Sequence, residues 1–242
     1  MTKIVVLTGA GISAESGIRT FRGSDGLWEG HRIEEVATPE GFDANPNLVL
    51  EFYNQRRRTI LSSDVKPNLA HVVLANWEAS LSSGQLLLIT QNVDDLHVRA
   101  GSKNVLPMHG ELLKARCLDT GEIFPWVDDM TLQTPHPRNP KKVGRLRPHI
   151  VWFGEMPLGM EQIEEAVMDC DCFVSIGTSG KVYPGAGLVQ MTPKKCWRVE
   201  INLDTADNSN AFDDSFLGRA TEQVPRFIEA WKQRFAENSD LP

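Results

Sequence analysis

Four groups of residues in this 242-residue chain have types and spacings suited to chemistry. Gly9, Gly11 and Ala14 follow the G-x-G-x-x-G/A pattern directly after an apolar run, where missing Cβ atoms let backbone N–H groups approach a pyrophosphate. Alone this signal is weak. It also departs from a dehydrogenase, because residues 19–26, RTFRGSDG, are polar and glycine-rich where a second strand ending in a ribose-binding acid is required. A dinucleotide here must be gripped differently. Gln91, Asn92 and Asp94 follow a second apolar run and offer amide and carboxylate groups for ribose hydroxyls or a carboxamide. A helix-capping role for Asp94, ahead of Leu96, stays open. His109 lies between Val105-Leu-Pro107 and Gly110, at a strand end of the kind that lines α/β ligand crevices, and imidazole is the side chain that titrates nearest cellular pH, as a general base must. Tyr53 and Arg56 are i, i+3 neighbours on a helical stretch, and a phenol beside a planar guanidinium suits a carboxylate held by two charge-assisted bonds. Without further context, Arg56-Arg57-Arg58 reads instead as a solvated helical face. His31, His71, His97, His136 and His149 read as structural histidines.

Elements able to position these groups recur along the chain. Residues 3–8 (KIVVLT), 86–90 (LLLIT), 173–177 (FVSIG) and 197–202 (WRVEIN) are short apolar runs ending in small or polar residues, the pattern of buried parallel strands. Helical stretches lie between them. Asn68 is placed to cap one, with Leu69, Val72, Val73 and Leu81 expected inward and Gly84 as its stop. Another spans residues 47–62, with Leu48, Phe52 and Ile60 on its buried side. Val224, Phe227, Ile228, Trp231 and Phe235 fall on one face of a C-terminal amphipathic helix. Strands alternating with helices predict an α/β fold: a doubly wound, Rossmann-like parallel sheet with a smaller inserted module. Residues 21–63 and the proline-rich residues 111–149 break the alternation and supply that insertion.

Lys and Arg total 25 against 32 Asp and Glu, so the formal charge is −7, which disfavours nucleic acid as a partner. The start lacks a signal-peptide pattern, and no run approaches the roughly 18 apolar residues of a membrane span, so a cytoplasmic protein with no membrane partner is expected. Cys117, Cys170, Cys172 and Cys196 form neither paired C-x-x-C knuckles nor a disulfide framework.

Five blocks then make a specific resemblance. Residues 9–23 (GAGISAESGIRTFRG), 90–97 (TQNVDDLH), 108–110 (MHG), 148–155 (PHIVWFGE) and 177–179 (GTS) are similar, in order, to the signature set of the sirtuin family, and the similarity runs from Val5 to about Pro225. The resemblance implies an NAD-dependent protein-lysine deacylase in which NAD is consumed: the acyl oxygen attacks the ribose carbon bearing nicotinamide, and free lysine, nicotinamide and O-acyl-ADP-ribose result. It implies that His109 is the catalytic base and that Asn92, with Asp94 and Gln91, holds the nicotinamide end. Gly9, Ala10, Gly11, Ser13, Ala14, Thr20, Phe21, Arg22 and Trp28 would also bind the cofactor, with Arg22 on the phosphates and Phe21 shielding the sugar from water. Gly177, Thr178, Ser179, Asn202, Leu203, Asp204 and Ala220 would hold the adenosine half. Val151, Phe153, Gly154 and Glu155 would pair with the substrate as an added strand.

Within the family, a Tyr/Arg pair resembling Tyr53 and Arg56 accompanies removal of succinyl and malonyl groups, and residues 37–42 (ATPEGF) resemble the segment whose small residue, here Ala37, widens the acyl pocket. A succinyl and malonyl preference with residual deacetylation is therefore expected, on acyl-lysine proteins or peptides and by a monomer. The implied layout is a Rossmann-like NAD domain of residues 1–20, 64–110 and 150–242, a cofactor-loop and acyl-pocket segment at 21–63, and a small module at 111–149. That module departs from the family. Of the four zinc cysteines only Cys117 is kept, and one thiolate closes no tetrahedral site, so no zinc is expected. The same pocket without turnover would be an NAD-binding sensor or scaffold, and with a different acceptor an ADP-ribosyltransferase.

Overall fold

The computed structural model describes residues 2–19, 28 and 30–236. The chain opens with β1 (Ile4–Thr8) and a 3-10 turn (Ala10–Ser16), then a helical excursion of α1 (Ile33–Val36), α2 (Pro39–Ala44) and α3 (Pro46–Leu61). Next come α4 (Leu69–Ser80), β2 (Leu86–Thr90), α5 (Leu96–Ala100) and β3 (Val105–Pro107). The inserted module holds β4 (Gly110–Cys117), β5 (Ile123–Pro125), β6 (Pro135–His136), β7 (Asn139–Val143) and β8 (Leu146–Ile150). The chain then returns through α6 (Met160–Met168), β9 (Cys172–Ile176), β10 (Trp197–Asn202), β11 (Asp214–Leu217) and α7 (Ala220–Ala236).

Six parallel strands form the main sheet in the order β11-β10-β9-β1-β2-β3. Alternation along each strand buries Ile4 and Val6 under α4 and α7 on one face, and Val5 and Leu7 under α6 on the other. Both faces are covered, so the strands read as unbroken apolar runs. The chain winds from β1 toward β2 and β3 on one side, and toward β9, β10 and β11 on the other. The crevice between the carboxyl ends of β1 and β9 is the point where open α/β sheets bind ligands.

The glycines meet there. Gly11 donates its N–H to the Gly177 carbonyl at 2.9 Å, and a Cβ on Gly11 would stand 2.6 Å from the Gly177 Cα. Gly177 itself has φ +66°, so neither loop tolerates a side chain at the crossing. From Ala10 the backbone winds into a 3-10 turn rather than opening an α-helix.

The helical excursion and the module share one core: Phe52, Tyr53 and Ile60 of α3 pack with Leu112 and Ala115 of β4, Ile150 of β8 and Trp152. α3 starts one residue earlier than expected, at Pro46, because Asn45 caps it by accepting the Leu48 N–H at 3.1 Å. The expected phase of α4 is right for Val73 and Leu81, which pack against the core, and wrong for Leu69 and Val72. Leu69 and Val72 are exposed, and Ala70, His71, Leu74, Ala75 and Trp77 face inward. Apolar residues occur on every side of this helix, so periodicity set no phase. Asn68 does, by accepting from Ala70 N and donating to Ile12 O and Ser16 Oγ, which turns the Ala70 and His71 side onto the first loop. The helix also ends at Ser80, ahead of Gly84, which lies in the turn before β2.

Candidate active site

One cleft of about 1280 Å³ runs along the carboxyl edge of the sheet and under α3. It exceeds the range of roughly 300–1,000 Å³ usual for a single small ligand, leaving room for a dinucleotide and a second reactant. Every expected site residue within the described part of the chain lines it, from Gly9 and Asn92 through His109 to Tyr53, Arg56 and Ala220. Thr20, Phe21 and Arg22 lie outside the described residues.

His109 follows β3, half-buried at the centre. Its Nδ1 lies 3.0 Å from the Gln91 carbonyl oxygen, which can only accept, so Nδ1 carries the proton and the Nε2 lone pair is available. Burial lowers the imidazole pKa below its ordinary value, and the bond to Gln91 opposes this in part. The ring is therefore a neutral proton acceptor at physiological pH. Gly110 beside it has φ +84°, and any Cβ there would strike the His149 carbonyl.

Asn92 and Asp94 form a cluster with Ser13. The Asn92 Nδ2 donates to Gly9 O at 3.1 Å and to Ser13 Oγ at 3.2 Å, which uses both amide hydrogens and leaves its carbonyl oxygen for the cleft. Ser13 Oγ in turn donates to Asp94 Oδ2 at 3.0 Å. The other Asp94 oxygen accepts from Leu96 N at 3.0 Å, so this carboxylate both anchors the start of α5 and lines the cleft. Its burial raises the carboxyl pKa, against those two hydrogen bonds.

Behind the cluster lie two histidines that sequence reading treated only as structural. His71 Nε2 stands 3.5 Å from Ser13 Oγ, His97 Nε2 bonds Thr8 Oγ1 at 3.1 Å, and the two rings are 4.8 Å apart. Burial lowers them to about 4 and about 3 respectively, so both are neutral.

At the end expected to take the adenosine half, Thr178 Oγ1 lies 3.0 Å from Ser175 Oγ, and the Ser179 carbonyl accepts from Asp207 N at 3.1 Å. Glu15 caps the incoming α7 through Thr221 N and Oγ1 at 3.1 and 2.9 Å.

The opposite end is aromatic. The Arg56 guanidinium sits 3.1 Å from the Phe52 ring centroid and 4.9 Å from that of Trp28, with Nη1 donating to Phe52 O at 2.7 Å. Tyr53 is fully buried from bulk solvent, and burial raises its pKa so that it stays a neutral phenol. Its oxygen accepts from Trp152 Nε1 at 3.0 Å, a partner that sequence reading missed. Phe153 N donates to Ala37 O at 2.9 Å, joining the two expected substrate segments. Glu155 lines the cleft, but its oxygens are engaged by Arg147 at 2.7 and 2.8 Å and by Trp152 N at 2.8 Å.

The inserted module keeps one cysteine. Cys117 is buried without a second thiol beside it, and among the described residues no three His, Cys, Asp or Glu side chains are grouped to hold an ion. The hairpins are tied instead by Asp119 with Arg145 and Lys142, by Glu122 with Arg138, and by Asn54, which exchanges two bonds with Met130 at 2.8 and 2.9 Å.

A glycine-floored crevice at the switch point of a parallel sheet, joined to an imidazole, an amide cluster and an aromatic end of the same cleft, defines a dinucleotide-dependent enzyme of the Rossmann-like class. The sequence profile described as Sir2 family matches residues 9–184. A relative from Rhodopirellula baltica, named NAD-dependent protein deacylase, is 55% identical over 231 residues, covering 93% of this chain and 97% of its own. Among solved structures, a mutant Sir2 homologue in complex with ADP-ribose superposes with TM-score 0.85 at 36% identity, covering 97% of this chain and 93% of its own. A Sir2 homologue–NAD complex gives TM-score 0.83 at 36% identity, covering 96% and 90%. The chain belongs to the Sir2 family.

Proposed function

We propose that this protein removes acyl groups from lysine side chains of proteins, transferring them to ADP-ribose with release of nicotinamide, and that it prefers succinyl and malonyl groups to acetyl. Bound NAD supplies the electrophilic ribose carbon and the hydroxyls that receive the acyl group. The residues of this chain do the rest. Gly9 and Gly11 present backbone to the pyrophosphate, and the Asn92 oxygen and Asp94 orient the nicotinamide end. His109 Nε2 takes the proton from a ribose hydroxyl, its ring held by Gln91. Substrate backbone pairs along residues 151–154, which leads the lysine side chain inward.

The acidic-acyl preference rests on one observation: Tyr53 and Arg56 line the same cleft as His109, at its aromatic end. A neutral phenol donor and a guanidinium there match a terminal carboxylate, and an acetyl group has nothing to offer them. Ala37, small and buried beside them, leaves space for the longer chain. We further propose a cytoplasmic monomer with no nucleic-acid partner, in keeping with the net charge of −7. Among the described residues no helix is long and apolar enough to cross a membrane.

The test is mass spectrometry of acetyl-, malonyl- and succinyl-lysine peptides incubated with NAD. Succinyl and malonyl peptides should lose their groups fastest, with O-acyl-ADP-ribose formed. NAD-derived label left on a protein side chain would favour ADP-ribosyl transfer, and binding without nicotinamide release would favour a sensor. Arg56→Met should lower kcat/KM on the succinyl peptide by about 10- to 150-fold, the range of one charge-assisted hydrogen bond, and on the acetyl peptide far less. Equal losses would remove the carboxylate clamp.

A further inference from the structure

We infer that Trp152 is a positioning residue that turns the Tyr53 hydroxyl into a dedicated hydrogen-bond donor and thereby sets the preference for an acyl carboxylate; the inference rests on the acidic-acyl reading above. The indole Nε1 lies 3.0 Å from the Tyr53 oxygen, and both side chains are buried. An indole N–H only donates, so the phenol oxygen is the acceptor. Once that lone-pair sector is filled, the phenol O–H bond has to lie elsewhere, and the remaining side is the one lining the cleft next to Arg56. A phenol without such a neighbour presents a lone pair as readily as a proton. A lone pair repels a carboxylate, and a proton binds it.

Trp152 is itself fixed on three sides. Its backbone N–H donates to Glu155 at 2.8 Å, and Glu155 is held in turn by two bonds from Arg147. The Arg147 guanidinium also stacks 3.4 Å from the Trp152 ring centroid, and Phe42 packs at 5.2 Å between centroids. A cation on the π face draws electron density from the ring, which strengthens its N–H as a donor. Glu155 and Arg147 thus act on the acyl end through Trp152. An acyl group with no acceptor beyond its carbonyl gains nothing from a proton aimed at this depth, so the arrangement discriminates by chemistry as well as by length.

Trp152→Phe keeps the ring and removes the N–H. The ratio of kcat/KM on a succinyl-lysine peptide to that on an acetyl-lysine peptide should fall about five-fold, the effect of one neutral hydrogen bond. In a Tyr53→Phe background the same substitution should leave the ratio where Tyr53→Phe alone puts it. Equal loss on both peptides, or a further fall without the phenol, would overturn the inference. Should Trp152→Phe fail to fold, the wild-type protein reports directly: its ¹⁵N-labelled indole signal, identified by its displacement in Tyr53→Phe, should shift when succinyl-lysine peptide is added, and an unmoved signal would overturn the inference equally. Arg56→Met separates the two levels. If it lowers both substrates alike, the clamp is wrong and the role of Trp152 falls with it; if it lowers the succinyl substrate alone while Trp152→Phe leaves the ratio unchanged, only the role of Trp152 is overturned.

Discussion

Mild acid should destabilise this protein through two imidazoles it keeps neutral behind the active site. His71 and His97 are buried, and their folded pKa values fall to about 4 and about 3 from an ordinary 6.5. Because these values are depressed, the stability they contribute is fully present above pH 6.5 and is lost as pH falls toward the folded values, since only the unfolded chain takes up the protons. Each costs about 1.36 kcal/mol per pH unit in that window, so lowering the pH from 7.5 to 5 removes about 2 kcal/mol per ring and about 4 kcal/mol for the pair. The rings lie 4.8 Å apart, so charging one makes charging the other harder still. His109 and His149, also depressed by burial, add in the same direction. Asp94, whose carboxyl is raised, opposes them only near the carboxylate range. With a urea m-value of about 3 kcal/mol/M for a chain of this size, the unfolding midpoint should drop by more than about 1 M. Urea titrations followed by tryptophan fluorescence at the two pH values measure this directly, and His97→Gln should abolish about half of the shift. A midpoint that barely moves would refute the neutral, buried state of the pair.

His109→Asn should abolish acyl transfer without lowering the melting temperature, and the acid limb of the wild-type kcat/KM profile should fall below pH 6.5, because burial holds the base's pKa down; a limb well above that value would point to another base. Gly11→Ala drives a Cβ to 2.6 Å from the Gly177 Cα, so the loops must part: stability should drop by about 1–3 kcal/mol and the KM for NAD should rise at least about ten-fold, as read by thermal melting and initial rates. Asn54→Ala leaves the buried Met130 N–H and C=O and the Arg57 Nη1 without partners, and should cost about 3 kcal/mol or more in a denaturant titration, whereas a chelator should leave the melting temperature unchanged.

The cleft was legible because its residues mark strand ends. Thr8, Thr90, Pro107, Ile176 and Asn202 close apolar runs, and a parallel sheet brings all such ends to one edge, so Gly9, Asn92, His109 and Gly177 had to meet. The side-chain partners were not legible. Trp152 reaches Tyr53 across 99 positions and His71 reaches Ser13 across 58, and neither contact leaves a local pattern. The three consecutive arginines show the same limit. Arg56 lines the cleft, Arg57 is fully buried against Asn54 and the Leu112 carbonyl, and Arg58 pairs with Glu51 and Asp129 at the surface. One-letter identity could not separate these environments; the rotation of about 100° per residue along α3 does.

That rotation couples the aromatic end of the cleft to the inserted module. Tyr53 and Arg56 form one i, i+3 pair on α3, and Asn54 and Arg57 form the next, one residue further round. The first pair lines the cleft; the second binds Met130 and the β4 backbone. A turn of the helix about its axis cannot move one pair without the other. The bonds from Asn54 and Arg57 hold both the module on α3 and the phenol and guanidinium at their depth in the cleft. Loosening the module should therefore reach the acyl pocket first. The glycine floor, built on the opposite flank from β1 and β9, shares no side chain with that contact and should be reached last.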